Sequence, residues 1–430
     1  MFDTQKKILR CLIWSAFFVT CLPTSLCAQS LELERDRALG MLDQVSAQIE
    51  KEFYDPALRG LHWKSLTQQA RQQIKGAKTA GEMFSAIFSM VRKLNDSHTW
   101  FIPPSRVAKT EFGFEVKAFG DEVRIYEVKR GSAAERAGLA VGDRVQSINN
   151  YAVNRENVDL LMILLRSLRP VAEMGVVFSR GAEPPRTVRF DGKLKPGEQV
   201  IDMTNLNSIW DLIREAETEA ADQRTKFRYA MDTDKVGSLR FPRIPGDKAF
   251  LFDFVRKVEK AEAILVDLRG NPGGSAEGLE YLIGMFERGQ PDVAEVAGRR
   301  KTEPLRVKPL RPNLTVPLFI LVDSQTGSAA EMFARHFQRT GRAVVIGDRT
   351  SGRVRLSRFY SRQMGVDTVV FYGVQVALAR VLFPAGEDLE GKGITPDNTC
   401  IPTAEDMRAG RDPCLDLARS LAQKKVGSTP

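Results

Sequence analysis

The stretch from Pro317 to Arg353 limits what this chain can fold into more than any other. An apolar run, Pro317-Leu-Phe-Ile-Leu-Val-Asp323, leads into the polar turn Ser324-Gln-Thr-Gly327. Ala330, Phe333, Ala334 and Phe337 then recur at i, i+3, i+4 and i+7, which is one buried face of a helix starting at Ser328. Gly341 closes that helix, and Arg342-Ala-Val-Val-Ile-Gly347 reads as the next buried strand. The unit is strand, tight turn, serine, helix, strand. The same compact α/β patterning runs from Val236 to about Pro396.

That placement of Ser328 has chemical consequences. A hydroxyl in the first turn of a helix lies beside unpaired N–H groups and the positive end of the helix dipole. The N–H of Ala329 is then a candidate to stabilise the negative oxygen that forms when Ser328 attacks a substrate. The plain alternative is that Ser328 only caps the helix.

Length and composition frame the rest. The 430 residues, 43% of them hydrophobic, suffice for two or three domains with their own cores. Residues 1–28 read as a secretory signal peptide, with Lys6, Lys7 and Arg10 ahead of the apolar segment from Cys11 to Leu22 and small residues near Ala28. The apolar segment is short for a membrane span, so membrane contact is expected only if this leader stays uncleaved. A periplasmic or secreted protein is the expectation. Cys11, Cys21 and Cys27 fall in the leader, which leaves Cys400 and Cys414 to close one small disulfide loop. The formal charge is +9, and removing Lys6, Lys7, Arg10 and Asp3 leaves +7. Those charges are dispersed, so no nucleic-acid partner is expected. No cysteine or histidine cluster has metal-ligand spacing, and no metal site is expected.

Taken in order, residues 29–108 are helical. Ala38, Met41, Leu42, Val45 and Ile49 form one amphipathic face, and Met83, Ile87, Met90 and Val91 another. Asp96-Ser97-His98-Thr99 ends this region on a loop, because Pro103 and Pro104 follow. Residues 109–195 alternate like strands, with glycines at Gly131, Gly138 and Gly142 ahead of Asp143 and a helical pattern over Val158, Leu161, Met162 and Leu165. That order resembles a PDZ domain. The resemblance places Phe112-Gly113-Phe114 where such domains hold a peptide's terminal carboxylate as the peptide adds a strand. Residues 196–235 read as a linker with a charged helical piece at Ile209 to Glu217, residues 236–400 as the α/β core, and residues 401–430 as a tail.

In the core, the buried strand from Ala263 to Leu268 runs into Arg269-Gly-Asn-Pro-Gly273-Gly274. Paired glycines allow close backbone approach and can supply outward N–H groups beside Ala329. No Gly-Lys-Ser/Thr follows, so a phosphate loop is excluded.

The segments Asp267-Leu-Arg-Gly-Asn-Pro-Gly-Gly274, Thr326-Gly-Ser-Ala-Ala-Glu331 and Gly391-Lys-Gly-Ile-Thr-Pro-Asp397 appear in that order behind a PDZ-like domain. The chain thereby resembles the carboxyl-terminal processing, or tail-specific, serine proteases. The resemblance implies a multidomain α/β protein: a crotonase-like protease core with an inserted PDZ domain and a helical N-terminal region. It implies Ser328 as nucleophile, an oxyanion hole from Ala329 with Gly273 or Gly274, no cofactor, and polypeptide substrates met through their C-termini.

One departure stands out. Arg353, in Thr350-Ser-Gly-Arg353, occupies the place of the lysine in Ser–Lys members, and arginine cannot serve as a base. The tricorn-like branch of the family suggests another set, namely His98 as base with Glu390 and Ser97 fixing the imidazole. Glu387 is the second choice for the carboxylate, and Lys392 is a remote substitute base. Of the other histidines, His62 belongs to the helical region and His336 lies eight residues along the helix from Ser328, about 12 Å away. Two rivals remain: an inactive PDZ-bearing adaptor for protein C-termini, motivated by Arg353, and a carrier of apolar ligands.

Overall fold

The computed structural model describes residues 22–104, 109–168, 171–195, 228–231, 235–246, 249–311, 313–365 and 369–427. Of the expected leader only residues 22–28 are among these, and the helical piece at Ile209 to Glu217 lies outside them.

Helices α1 (Leu22–Glu52), α2 (Trp63–Gly76) and α3 (Ala80–Arg92) come first, followed by the short strand β1 (Trp100–Ile102). Thr79 caps α3 by accepting the Glu82 N–H. The faces read from the sequence meet: Met41, Leu42, Val45 and Ile49 of α1 share one buried cluster with Met83, Ile87 and Val91 of α3. At about 1.5–3 kcal/mol for each such side chain, this packing rather than helix propensity holds the region together.

The next module is an antiparallel sheet of six strands with a separate two-stranded pair beside it. Its strands are β2 (Lys109–Glu111), β3 (Phe114–Phe119), β4 (Glu122–Val128), β5 (Arg144–Ile148), β6 (Tyr151–Ala152), β7 (Glu173–Ser179), β8 (Arg186–Asp191) and β9 (Lys193–Lys195). A short helix α4 (Ala133–Arg136) follows β4, and α5 (Val158–Ile163) precedes β7. Strand order is β3-β4-β5-β7-β8, and β2 pairs with β9, Lys109 opposite Lys195, which closes the module.

The core follows with β10 (Arg228–Met231), β11 (Val236–Arg240), α6 (Ala249–Lys257), β12 (Ala263–Asp267), α7 (Ala276–Phe286), β13 (Asp292–Gly298), β14 (Thr302–Arg306) and β15 (Leu318–Val322). It continues through α8 (Ala329–Arg339), β16 (Ala343–Gly347), β17 (Arg355–Met364), β18 (Val370–Leu382), β19 (Asn398–Thr399), α9 (Ala404–Ala409) and α10 (Pro413–Gly427). The central sheet runs β10-β11-β12-β15-β16-β19, parallel from β11 onwards, with β10 antiparallel at the edge.

Period-two alternation explains its two covers. Ile264, Val266, Leu318 and Ile320 face one way, into a cluster with Leu279, Leu282, Phe333 and Phe337 of α7 and α8. Ala263, Leu265, Phe319 and Leu321 face the other way, against Cys414, Ala418 and Ala422 of α10. The segment expected as a tail is therefore the second cover of the sheet. Its buried stripe is made of small residues, which is why the sequence did not advertise it. Cys400 and Cys414 form a disulfide, with Cα atoms 5.5 Å apart, that fastens α10 to the end of β19.

A second sheet, β1-β18-β13-β14 with β17 on the other side of β18, joins the N-terminal helices to the core. Trp100, Phe101 and Ile102 of β1 pair antiparallel with Gln375, Val374 and Gly373 of β18. Val374 and Val376 of β18 pack into the α1–α3 cluster. This splice decides where the residues just before β1 end up.

Candidate active site

Ser328 sits on the sharp turn between β15 and α8, at φ 52° and ψ −123°. A side chain-bearing residue in that region costs on the order of 1–3 kcal/mol and persists only where neighbours over-determine it. The turn that delivers it is built on Asp323. Its Oδ1 accepts the N–H groups of Gly270, Gln325 and Thr326 at 2.9, 3.0 and 3.1 Å, and its Oδ2 takes the Lys117 ammonium at 3.0 Å. Burial alone would raise this carboxyl, but Lys117 and the N–H donors hold it below the ordinary carboxylate range.

His98 comes from the loop between α3 and β1. Asp96 Oδ1 shapes that loop by accepting the His98 N–H at 3.0 Å and the Thr99 hydroxyl at 2.9 Å. Thr99 Oγ1 in turn accepts the Ala377 N–H of β18 at 3.1 Å. The pairing of β1 with β18 thus carries His98 to the core. Its Nε2 lies 3.1 Å from Ser328 Oγ, a contact across 230 positions of sequence, and its Nδ1 lies 2.7 Å from Ser97 Oγ. His98 is buried, 8% exposed as a residue. Its pKa is lowered from 6.5 to about 4, by burial first and then by Arg353 and Arg355, against the upward push of Glu390.

Glu390 stands one step back. The expectation had it fixing the imidazole, but its Oε1 accepts the Ser97 N–H at 3.1 Å and its Oε2 the Val354 N–H at 2.9 Å, while Ser97 Oγ is the atom on Nδ1. The carboxylate therefore acts on the ring through its charge and through the Ser97 backbone. Glu387, the second choice, is committed elsewhere: it pairs with Arg335 at 2.6 and 3.0 Å and with Arg339 at 3.4 Å. His336 is bound to Glu287 at 2.7 Å on the far part of α8, and His62 stands at the start of α2.

The glycine loop lies against the serine. Gly273 has φ 105°, and a Cβ there would fall 2.6 Å from Ser328 Cβ and 2.9 Å from the Ala329 nitrogen. Only glycine permits that approach. The Gly273 N–H is already spent on Asn271 Oδ1 at 2.8 Å. Among the described residues the N–H groups of Gly274 and Ala329 have no acceptor. Of the two glycines, Gly274 is thus the one with a donor to offer.

Arg353 keeps its backbone in the site and sends its side chain away. Its carbonyl accepts the Ser328 N–H at 2.8 Å, whereas its guanidinium pairs with Asp159 of α5 at 2.8 Å. Lys392 reaches no carboxylate within ion-pair distance among the described residues. A cleft of about 420 Å³ opens between the three modules, with Ser97, Trp100, Arg353 and Glu390 among its walls.

In the PDZ-like module, Phe112 and Phe114 are buried core residues, 2% and 1% exposed, so their side chains are not available to a peptide. Gly113, at φ 81°, lets the loop turn, and the loop borders a cavity of about 210 Å³ that also has Lys129 and Arg166 on its wall. The module is tied to the core by Lys117–Asp323, by Arg155–Asp348 at 2.5 Å, and by Ser324 Oγ donating to the Ala118 carbonyl at 2.5 Å.

Sequence reasoning passed over Asn271 and Arg355. Asn271 is fully buried, donating to the Phe241 carbonyl at 3.0 Å while accepting from Gly273, and its place in a Gly-Asn-Pro-Gly turn was the available signal. Arg355 is buried beside Asp96 and Glu390 and bonds Asp388 Oδ1 at 2.9 Å. Nothing local distinguishes it from any strand arginine.

A serine whose hydroxyl meets a buried imidazole, on a strand-to-helix turn beside unpaired N–H groups, belongs to the chemistry of a serine-type peptidase. Residues 235–400 match Peptidase family S41, and residues 102–176 match the PDZ domain. A carboxyl-terminal-processing protease of Picosynechococcus sp. is 24% identical over 372 residues, covering 83% of this chain and 82% of that protein. The chloroplastic carboxyl-terminal-processing peptidase 1 of Arabidopsis thaliana is 24% identical over 358 residues, covering 80% of this chain and 68% of that one. The solved structure of mature CPAF superposes with a TM-score of 0.67 at 14% identity, over 92% of this chain and 98% of that one, which shows a shared fold. The chain is a serine-type peptidase with a family S41 domain behind a PDZ domain, akin to the carboxyl-terminal processing proteases.

Proposed function

We propose that this chain is an exported endopeptidase that cleaves protein substrates through an acyl-enzyme on Ser328, with His98 as its base, in the manner of the tricorn-like branch rather than the Ser–Lys branch. The observation that carries the reading is the 3.1 Å contact between His98 Nε2 and Ser328 Oγ. With Nδ1–H donating to Ser97 Oγ, the Nε2 lone pair is free to take the serine proton as Oγ attacks the scissile carbonyl. Glu390 supports the imidazolium that forms, and the N–H groups of Ala329 and Gly274 receive the oxyanion. The imidazolium then returns its proton to the leaving amine, and water repeats the sequence on the acyl-enzyme. Arg353 plays no proton-transfer part, since a guanidinium cannot deprotonate.

The PDZ domain recruits the substrate by its C-terminus or gates its entry. The disulfide between Cys400 and Cys414 supports export to a periplasmic or secreted location, because such bonds persist in oxidising compartments. The test is labelling by a fluorophosphonate probe together with hydrolysis of an unfolded protein. Both are expected in the wild type and absent in Ser328→Ala. A folded wild type that neither labels nor cleaves would return the chain to the adaptor reading.

A further inference from the structure

Glu331 lies in the first turn of α8, three residues after Ser328, and is completely buried. A glutamate at that position ordinarily reaches back to the N–H of the residue that opens the helix, a single bond at the protein surface. Here one carboxylate gathers five donors from two segments of chain. Its Oε2 accepts the N–H groups of Ser328 at 3.0 Å and Arg353 at 2.9 Å and the Ser351 hydroxyl at 3.3 Å. Its Oε1 accepts the Gly352 N–H at 2.8 Å and the Thr350 hydroxyl at 2.5 Å. No cation pairs with it among the described residues; burial pushes its pKa above the ordinary carboxylate value, and the hydrogen bonds from Thr350, Arg353, Gly352 and Ser328 oppose that rise.

We propose that Glu331 is a positioning residue for the reaction at Ser328: its carboxyl group, accepting from both segments, holds the nucleophile's backbone at positive φ and locks it to the loop of residues 350–353. The proposal rests on the reading of Ser328 as nucleophile. A residue at φ 52° relaxes unless its surroundings forbid it, and relaxation would swing Oγ away from His98. The Ser328 N–H is shared between Glu331 and the Arg353 carbonyl, so the same two segments grip it from both sides. Thr350 extends the lock, because its Oγ1 also accepts the Ile394 N–H at 2.6 Å and its own N–H donates to the Ile394 carbonyl at 3.1 Å. That bond reaches the segment carrying Glu390. The arrangement also accounts for a loop that is useful without a lysine base: what the site draws from residues 350–353 is backbone N–H and C=O, and the Arg353 side chain is free to reach the PDZ domain.

Glu331→Gln preserves size and turns one acceptor into an NH2 group facing donors. The fluorophosphonate labelling rate and kcat should fall by at least ~100-fold with KM within ~3-fold, the pattern of lost transition-state geometry. A helix cap alone would lower the melting temperature and leave the folded fraction reacting at its normal rate. The Ser328 amide resonance, followed with ¹⁵N-serine and identified by its loss in Ser328→Ala, should move upfield in Glu331→Gln. Should that variant not fold, Thr350→Val removes one donor and should slow labelling by about tenfold, the scale of one buried hydrogen bond. Labelling within threefold of wild type in either folded variant, or an unmoved Ser328 amide, overturns the proposal. A wild type that does not label overturns the hydrolase reading instead, and the amide resonance still decides whether Glu331 holds that backbone.

Discussion

Acidification is the most direct way to interrogate His98. Its pKa is lowered from 6.5 to about 4 by burial first and then by Arg353 and Arg355, with Glu390 opposing the drop. At pH 5.5 an imidazole of pKa 6.5 would be neutral in about 10% of molecules, whereas one of pKa about 4 is neutral in about 97%. The acid limb of kcat/KM, which reports the free enzyme's base, should therefore fall near pH 4, and activity at pH 5.5 should stay near its plateau. The assay is the second-order rate of fluorophosphonate labelling and kcat/KM on a fluorogenic peptide from pH 3.5 to 8. Glu390→Gln removes the charge that raises the pKa and should move the limb to lower pH. Arg353→Gln removes a cation that lowers it and should move the limb to higher pH. Stability follows the same linkage. The unfolded chain holds its histidine proton below about 6.5 and the native fold only below about 4, so the unfolded state binds more protons in that window. Stability is full above about pH 6.5 and declines as pH falls toward 4, by about 3 kcal/mol when the window has been crossed. A limb at 6.5 or higher that neither substitution moves would refute the reasoning.

Other outcomes follow from the same geometry. His98→Ala should lower turnover about 10²- to 10⁴-fold and Arg353→Ala less, measured on one peptide; the opposite order would remove His98 from the base role. Gly273→Ala, whose Cβ would lie 2.6 Å from Ser328 Cβ at a backbone φ of 105°, should abolish labelling and destabilise the fold by about 1–3 kcal/mol, read by denaturant unfolding. Replacing Cys400 and Cys414 together by serine releases a loop closed across 14 residues and should lower stability on the order of 3 kcal/mol, with reduction of the wild type giving the same shift.

The elements of the core were legible because their signals are local. The apolar runs that became β12 and β15, the i, i+3, i+4 face of α8 and the turn at Gly341 all depend on residues within one turn or one strand of each other. The motif around Ser328 was legible for the same reason. Its partner was found from the few histidines present and a resemblance, and no pattern in either neighbourhood states that they touch. α10 was missed because Cys414, Ala418 and Ala422 are too small to look like a core stripe until a sheet face is set against them.

By itself, the sequence determined the strand and helix periods, the glycines that a close approach requires, and the exclusion of Arg353 as a base. These are properties of side chains and backbone that hold wherever the segment lies. The tertiary structure decided which groups act together: β1 joining β18 brings His98 to Ser328, Ser97 rather than Glu390 touches the imidazole, and Glu331 gathers two loops around one carboxylate. Such contacts depend on distance and burial, and the fold creates both when strands far apart in sequence pair and water is excluded from between them.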